Sequence, residues 1–157
     1  MKKYSYLFMN LSMAVLLPAM AILYDHFFEH EVVNGELIGK WFIFWAIGIR
    51  LFTAGVSQAS NPRFTAGIFK MKSQESYVLI RELGFANISL GAMGILSVIH
   101  HDWRILAAIT GGLFLGLAGI QHLFKKPDSQ KEVIAMIYDL FVLLVIIIYV
   151  LRITLND

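Results

Sequence analysis

Three ionisable residues stand inside otherwise apolar stretches of the chain: Arg50, Glu82 and Asp139. A charge at membrane depth costs several kcal/mol, at least about 2.5–3.5 at the centre of a helix, so such groups turn toward protein or water. At 1.5 Å per residue, Arg50 lies roughly 15 Å and Asp139 about 9 Å from the ends of their stretches on one common side. Arg81, Gln58, Asn61, Asn87, Gln121 and His122 fall toward that same side and could join them in one polar intramembrane site. A buried guanidinium seeks a carboxylate that takes two of its N–H groups, and Asp139 or Glu82 is the natural partner for Arg50. Such a pair either locks helices together or forms a site for a small solute, an ion or a proton. Arg81 and Glu82 are also placed to snorkel to the surface. His122 reads as a capping or interface residue before it reads as a proton relay.

A second group of residues lies on the opposite side. His26-Phe27-Phe28-Glu29-His30 has the H-x-x-E-H spacing in which two histidines bind metal beside a glutamate base. No substrate cleft surrounds it, which argues against a peptidase. A metal site formed by His26, Glu29 and His30 with His100, His101 or Asp102 is the more defensible chemistry, and a pH-sensing cluster is a further option. With no cysteine, thiol redox and thiolate metal chemistry are excluded. Neither GxxxxGK[ST] nor a GxGxxG after a strand is present, and a net charge of +2 does not suggest nucleic acid. Trp41, Phe42, Phe44, Trp45 and Trp103 read as an interfacial aromatic belt. No cofactor is required by the sequence, with quinone or a metal ion as the candidates.

The elements that must position these residues are legible from composition. Of 157 residues, 58% are hydrophobic and 15% charged, against roughly 25% charged in a soluble domain, and mean hydropathy is +0.69. Five stretches, 4–24, 38–60, 77–99, 105–124 and 133–151, reach the roughly 20 apolar residues a helix needs to cross a bilayer. The expectation is an all-α integral membrane bundle of five transmembrane helices, with residues 1–157 as one domain. Lys2, Lys3 and Ala19-Met20-Ala21 resemble a cleavable signal. The apolar run continues to Tyr24, however, and Asn10 and Ser12 interrupt its centre, which favours a retained helix. Pro18 predicts a kink there.

Basic residues orient the bundle. With the N-terminus in the cytoplasm, nine (Lys2, Lys3, Arg63, Lys70, Lys72, Arg81, Lys125, Lys126 and Lys131) fall inside and three (Lys40, Arg104 and Arg152) outside. This predicts a cytoplasmic N-terminus, an extracytoplasmic C-terminus and the inner membrane. The first outer loop is acidic through Asp25, Glu29, Glu31 and Glu36. Between Asn61 and Ser76, Phe64, Ile68, Phe69 and Met71 mix with Arg63, Lys70 and Lys72, which suits an interfacial helix or a basic loop equally. Ser129 and Glu132 fit a capping box, and Asn34-Gly35 a turn.

The third and fourth spans are glycine-rich: Gly84, Gly91 and Gly94, then Gly111, Gly112, Gly116 and Gly119. Small residues let membrane helices approach closely, so these two spans are expected to form the tight centre of the bundle, with a homo-oligomer or a membrane partner seam through the same faces as the alternative. The lipid bilayer is the expected surround. Ala54-Gly55-Val56-Ser57-Gln58 before Pro62 is echoed by Ala118-Gly119-Ile120-Gln121-His122 before Pro127, a faint sign of duplicated hairpins.

From Arg81-Glu82-Leu83-Gly84-Phe85-Ala86-Asn87-Ile88-Ser89-Leu90-Gly91 through Ala118-Gly119-Ile120-Gln121-His122, the chain resembles an uncharacterised family of small prokaryotic multi-pass membrane proteins. The resemblance covers spans two to four. It implies that Glu82, Asn87 and His122 belong to one polar constellation, and it transfers no catalytic residue. A fainter similarity runs to DoxX-like four-helix membrane proteins, some of which associate with quinone-linked oxidoreductases. The functional expectation is therefore a non-enzymatic module that binds or passes a small solute, ion or proton, or an accessory membrane subunit. The alternatives are a quinone-associated oxidoreductase component, with the aromatic second span as its wall, and a purely structural ion pair.

Overall fold

A computed structural model describes residues 3–68, 71 and 73–156, so Lys2, Phe69, Lys70 and Lys72 of the basic inner segments lie outside the described residues. Every regular element among them is helical. The helices are α1 (Tyr4–Phe28), α2 (Gly35–Ser60), α3 (Pro62–Ile68), α4 (Glu75–Leu96), α5 (Trp103–Lys125) and α6 (Gln130–Asn156). All except the short α3 are long and apolar enough to cross a membrane. Of the two readings of Asn61–Ser76 the helical one holds for Pro62–Ile68.

Local chemistry sets the ends. The proposed Asn34-Gly35 turn is instead a helix start: the Asn34 side chain accepts the Leu37 N–H at 2.9 Å and satisfies one of the orphan donors of α2. At the start of α6 the Glu132 N–H reaches Ser129 Oγ at 3.3 Å while the Glu132 carboxylate accepts from Asp128 N–H, a capping box shifted back by one residue. Around Pro18 the chain widens rather than breaks. Ser12–Leu16 form a π turn in which Leu17 N–H reaches back five residues to the Ser12 carbonyl, leaving room for the proline ring.

The centre of the bundle is α2, not the two glycine-rich helices. Ile43, Ala46 and Ile47 have no exposed surface, and Ala107, Ala108, Leu115, Val142 and Ile146 close around them. The glycines explain why. On α4, Gly84, Gly91 and Gly94 face α2, and a Cβ on any of them would meet α2 backbone. Gly48 and Gly55 of α2 answer in kind, since a Cβ on Gly55 would lie 2.6 Å from the Gly84 carbonyl. On α5, Gly112 and Gly116 receive Ile146 and Leu143 of α6, while Gly111 receives Ile47 of α2. The glycine faces of α4 and α5 therefore do not meet each other. They are filled by the chain's own helices. Both helix pairs, α2–α4 and α5–α6, use glycines seven residues apart (Gly48 and Gly55, Gly112 and Gly119) to seat the partner helix.

The outside is apolar: Leu79, Phe85, Leu113, Leu117, Leu144 and Ile148 are all exposed. A water-soluble fold would cover such residues.

Candidate functional site

The second π turn of the chain, Ile43–Ile49, lies immediately before Arg50. Its effect is chemical. The Arg50 N–H goes to the carbonyls of Trp45 and Ile47 and bypasses that of Ala46. The bypassed carbonyl accepts the Tyr138 hydroxyl at 2.7 Å, a buried bond between α2 and α6. Arg50 then lies across the Tyr138 ring, 5.4 Å from guanidinium carbon to ring centre, and its Nε donates to Asn10 Oδ1 of α1 at 3.3 Å. Asn10 is 2% exposed and is itself anchored through Nδ2 to the Tyr6 carbonyl at 2.8 Å. Three helices thus hold one guanidinium with an amide and an aromatic face.

Asp139, the residue after Tyr138, is 6% exposed, and its backbone lies against α5 so closely that a Cβ on Gly119 would be 3.1 Å from its own. The Arg50 guanidinium and the Asp139 carboxylate are not within 4.0 Å, and Asp139 has no hydrogen bond or ion pair among the described residues. The expected carboxylate partner of Arg50 is thus replaced by Asn10 and Tyr138. Tyr138→Phe should return the Ala46 carbonyl to an unpaired state at the cost of about 1 kcal/mol, within the range measured for interhelical hydrogen bonds in membranes, read as a lowered unfolding midpoint.

The other sequence-selected residues separate into three groups. Gln58 and Asn87 do meet: Asn87 Nδ2 donates to Gln58 Oε1 at 2.6 Å, and Asn87 Oδ1 is buried with no donor. Arg81, Glu82 and Gln121 are exposed and face out of the bundle, so Glu82 is no partner for Arg50, and His122 is half-buried without a bond among the described residues. Asn61 is exposed and ends α2, taking the Phe64 N–H on its carbonyl. The single constellation of Glu82, Asn87 and His122 implied by the resemblance is not formed.

The five residues of the metal hypothesis are likewise spread out. His26 Nδ1 is 2.9 Å from the Glu31 carbonyl, His100 stacks on Trp103, and His101 Nε2 is 3.0 Å from Glu36 Oε2. Glu29 caps α1, and His30 takes a positive φ of 57° beside it. No three His, Asp or Glu side chains gather at ligating distance among the described residues.

Sequence reasoning passed over two buried charge contacts at this end. Asp25 Oδ2 accepts from both Lys40 Nζ at 2.7 Å and Trp41 Nε1 at 2.8 Å, which ties α1 to α2. Arg104, 6% exposed, donates Nη1 to Glu36 Oε2 at 2.6 Å, tying α5 to α2, while its Nε has no acceptor. The aromatic belt is accordingly turned partly inward: Phe42 is buried, Trp41 serves Asp25, and Trp45 Nε1 is buried without an acceptor. The signal for Asp25 was present, since it lies one residue beyond a span that helical periodicity carries to Phe28.

Fold and site together define a class: an all-helical bundle of membrane-compatible helices with an apolar exterior and polar side chains held inside. The chain belongs to DUF6790, a family of unknown function, whose pattern matches residues 4–155 and meets the expectation of an uncharacterised family. No curated protein and no solved structure matches it.

Proposed function

We propose that the protein is a multi-pass integral protein of the cytoplasmic membrane, N-terminus inside and C-terminus outside, in which Asp139 and Arg50 form a non-enzymatic binding site for a proton or a small cation. The observation that carries this reading is the state of Asp139: a carboxylate 6% exposed, in the inner half of a membrane-compatible helix, with no donor of its own. A carboxylate in that position needs a proton, a cation or a polar solute to compensate it. Arg50, held by Asn10 and by the ring of Tyr138 next to Asp139 in sequence, makes no ion pair with it. An ion pair that only locks helices together would close that gap. The Gln58–Asn87 amide pair, with its free acceptor, is a second polar station on the same side of the bundle. The excess of Lys and Arg on the segments assigned to the cytoplasm supports the orientation.

The test is infrared difference spectroscopy on the purified protein in lipid nanodiscs, stepping pH and then adding sodium or potassium salts. The wild type is expected to show a carboxyl carbonyl signal that responds to pH or cation and is absent from Asp139→Asn. Identical spectra from the two proteins under every condition would overturn the site. Reporter fusions finding both termini on one face would overturn the topology.

A further inference from the structure

From the far end of α4 we infer a second site, independent of the first: a seat for a phospholipid headgroup carrying a phosphodiester and a primary ammonium, the chemistry of phosphatidylethanolamine. Gly84 packs on the Ala59 nitrogen and the Gln58 Cβ, one and two residues before the end of α2. Since α4 runs back along α2, Arg81 and Glu82 lie at the level where α2 finishes. For helices that cross a bilayer this is headgroup depth, not its interior.

Val78, Arg81, Glu82 and Phe85 are spaced i, i+3, i+4 and i+7, one stripe of the helix, and with Tyr77 they line an open groove of about 170 Å³. Val78 and Phe85 are strongly exposed, as are both charged residues. Arg81 and Glu82 make no ion pair with each other or with any other described residue. Arg63, on α3, lies over the ring of Tyr77 at the edge of the groove, 5.9 Å from its centre, and does not line the groove itself. The groove therefore offers one guanidinium group, one unpaired carboxylate and an apolar floor leading along α4 toward the membrane interior.

That charge pattern selects its occupant. Arg81 matches a phosphodiester, which guanidinium binds through paired N–H donors. Glu82 is an acceptor for an N–H-bearing ammonium next to the phosphate. Phosphatidylcholine presents a methylated ammonium with no N–H to donate, and phosphatidylglycerol presents no cation at all. Val78 and Phe85 give the first acyl carbons an apolar surface.

Native mass spectrometry of delipidated protein, titrated with the three lipids bearing identical acyl chains, tests the assignment. Phosphatidylethanolamine is expected to bind about tenfold more tightly than phosphatidylcholine, the scale of one charge-assisted hydrogen bond. Glu82→Gln should erase that preference, Glu82→Lys should turn it toward phosphatidylglycerol, and Arg81→Gln should weaken both phosphatidylethanolamine and phosphatidylglycerol. Both side chains are exposed, so unchanged circular dichroism is expected of all three variants. Equal binding of phosphatidylethanolamine and phosphatidylcholine to the wild type overturns the proposal. So does a preference that survives Glu82→Gln, or a wild-type preference for phosphatidylglycerol that Glu82→Gln leaves unchanged, which would mark a basic surface for any anionic lipid.

Discussion

Gly91→Leu is expected to destabilise the bundle by about 3 kcal/mol or more. A Cβ at this position would meet the backbone nitrogen of Phe52, its Cα at 2.7 Å and the Gly48 carbonyl at 2.8 Å. None of these atoms can rotate aside, so α2 and α4 must separate along the seam that also seats Gly48, Gly55, Gly84 and Gly94. Overpacking a well-fitted interior costs typically 1–3 kcal/mol, and a clash with backbone alone belongs at or beyond the top of that range, about 3 kcal/mol or more. Against a domain stability on the order of 5–15 kcal/mol this is a large fraction. The graded controls make the result specific. Gly116→Ala meets only the Leu143 side chain, which can change rotamer, and should cost less. Gly67→Ala meets nothing within 4 Å, and as a helix former it should be neutral or slightly stabilising. Recovery of monodisperse protein and the unfolding midpoint, measured for all three, check the order.

The second large effect is expected at the opposite end of α2. Asp25→Ala removes the oxygen that accepts from both Lys40 and Trp41, leaving an ammonium and an indole N–H without their partner beneath α1. Charge-assisted hydrogen bonds contribute about 1.5–3 kcal/mol each. Lys40 retains some access to solvent, which softens the loss, so the net expectation is about 2 kcal/mol. Asp25→Asn keeps an acceptor for Trp41 while deleting the charge, and should recover roughly half. Equal midpoints for wild type and Asp25→Ala would mean that this contact holds nothing together.

How far the sequence revealed all this depends on which physical signal was local. The five spans were readable because hydropathy is a property of contiguous residues, and their boundaries moved by only a few positions, as where α1 continues to Phe28 and α2 starts at Gly35. That extra turn is what carries Asp25 from a loop into a helix. Partner choice was not local. Gly112 and Gly116 announce a face that something must approach, but nothing in their spacing says that Ile146 and Leu143 will fill it rather than α4. For the same reason Arg50 was expected on a carboxylate. Its amide partner Asn10 lies 40 residues away, visible in the sequence only as a polar residue inside an apolar run. Glu82 was read both as a buried partner for Arg50 and as a side chain that snorkels outward, and its exposure agrees with the second. The packing of Gly84 on Ala59 shows that α2 ends near that level. Pro18 did mark a backbone irregularity, whereas Ile43–Ile49 carries no proline and gave no comparable sign.

The wide turn at Ile43–Ile49 has one more effect, on how the chain tolerates changes in length. A π turn holds one residue more than the α-helical turn it replaces, and each residue of an α-helix advances the azimuth by about 100°. Deleting a single residue there would let the segment tighten into regular helix without lengthening or shortening the span. Both halves of α2 would then keep their azimuth, so Gly39 could stay beneath Tyr149 with Arg50 still over Tyr138, whereas a deletion in the regular part of the helix would re-clock one half against the other by about 100°. The helix can shed a residue at that one place and keep its two ends in phase.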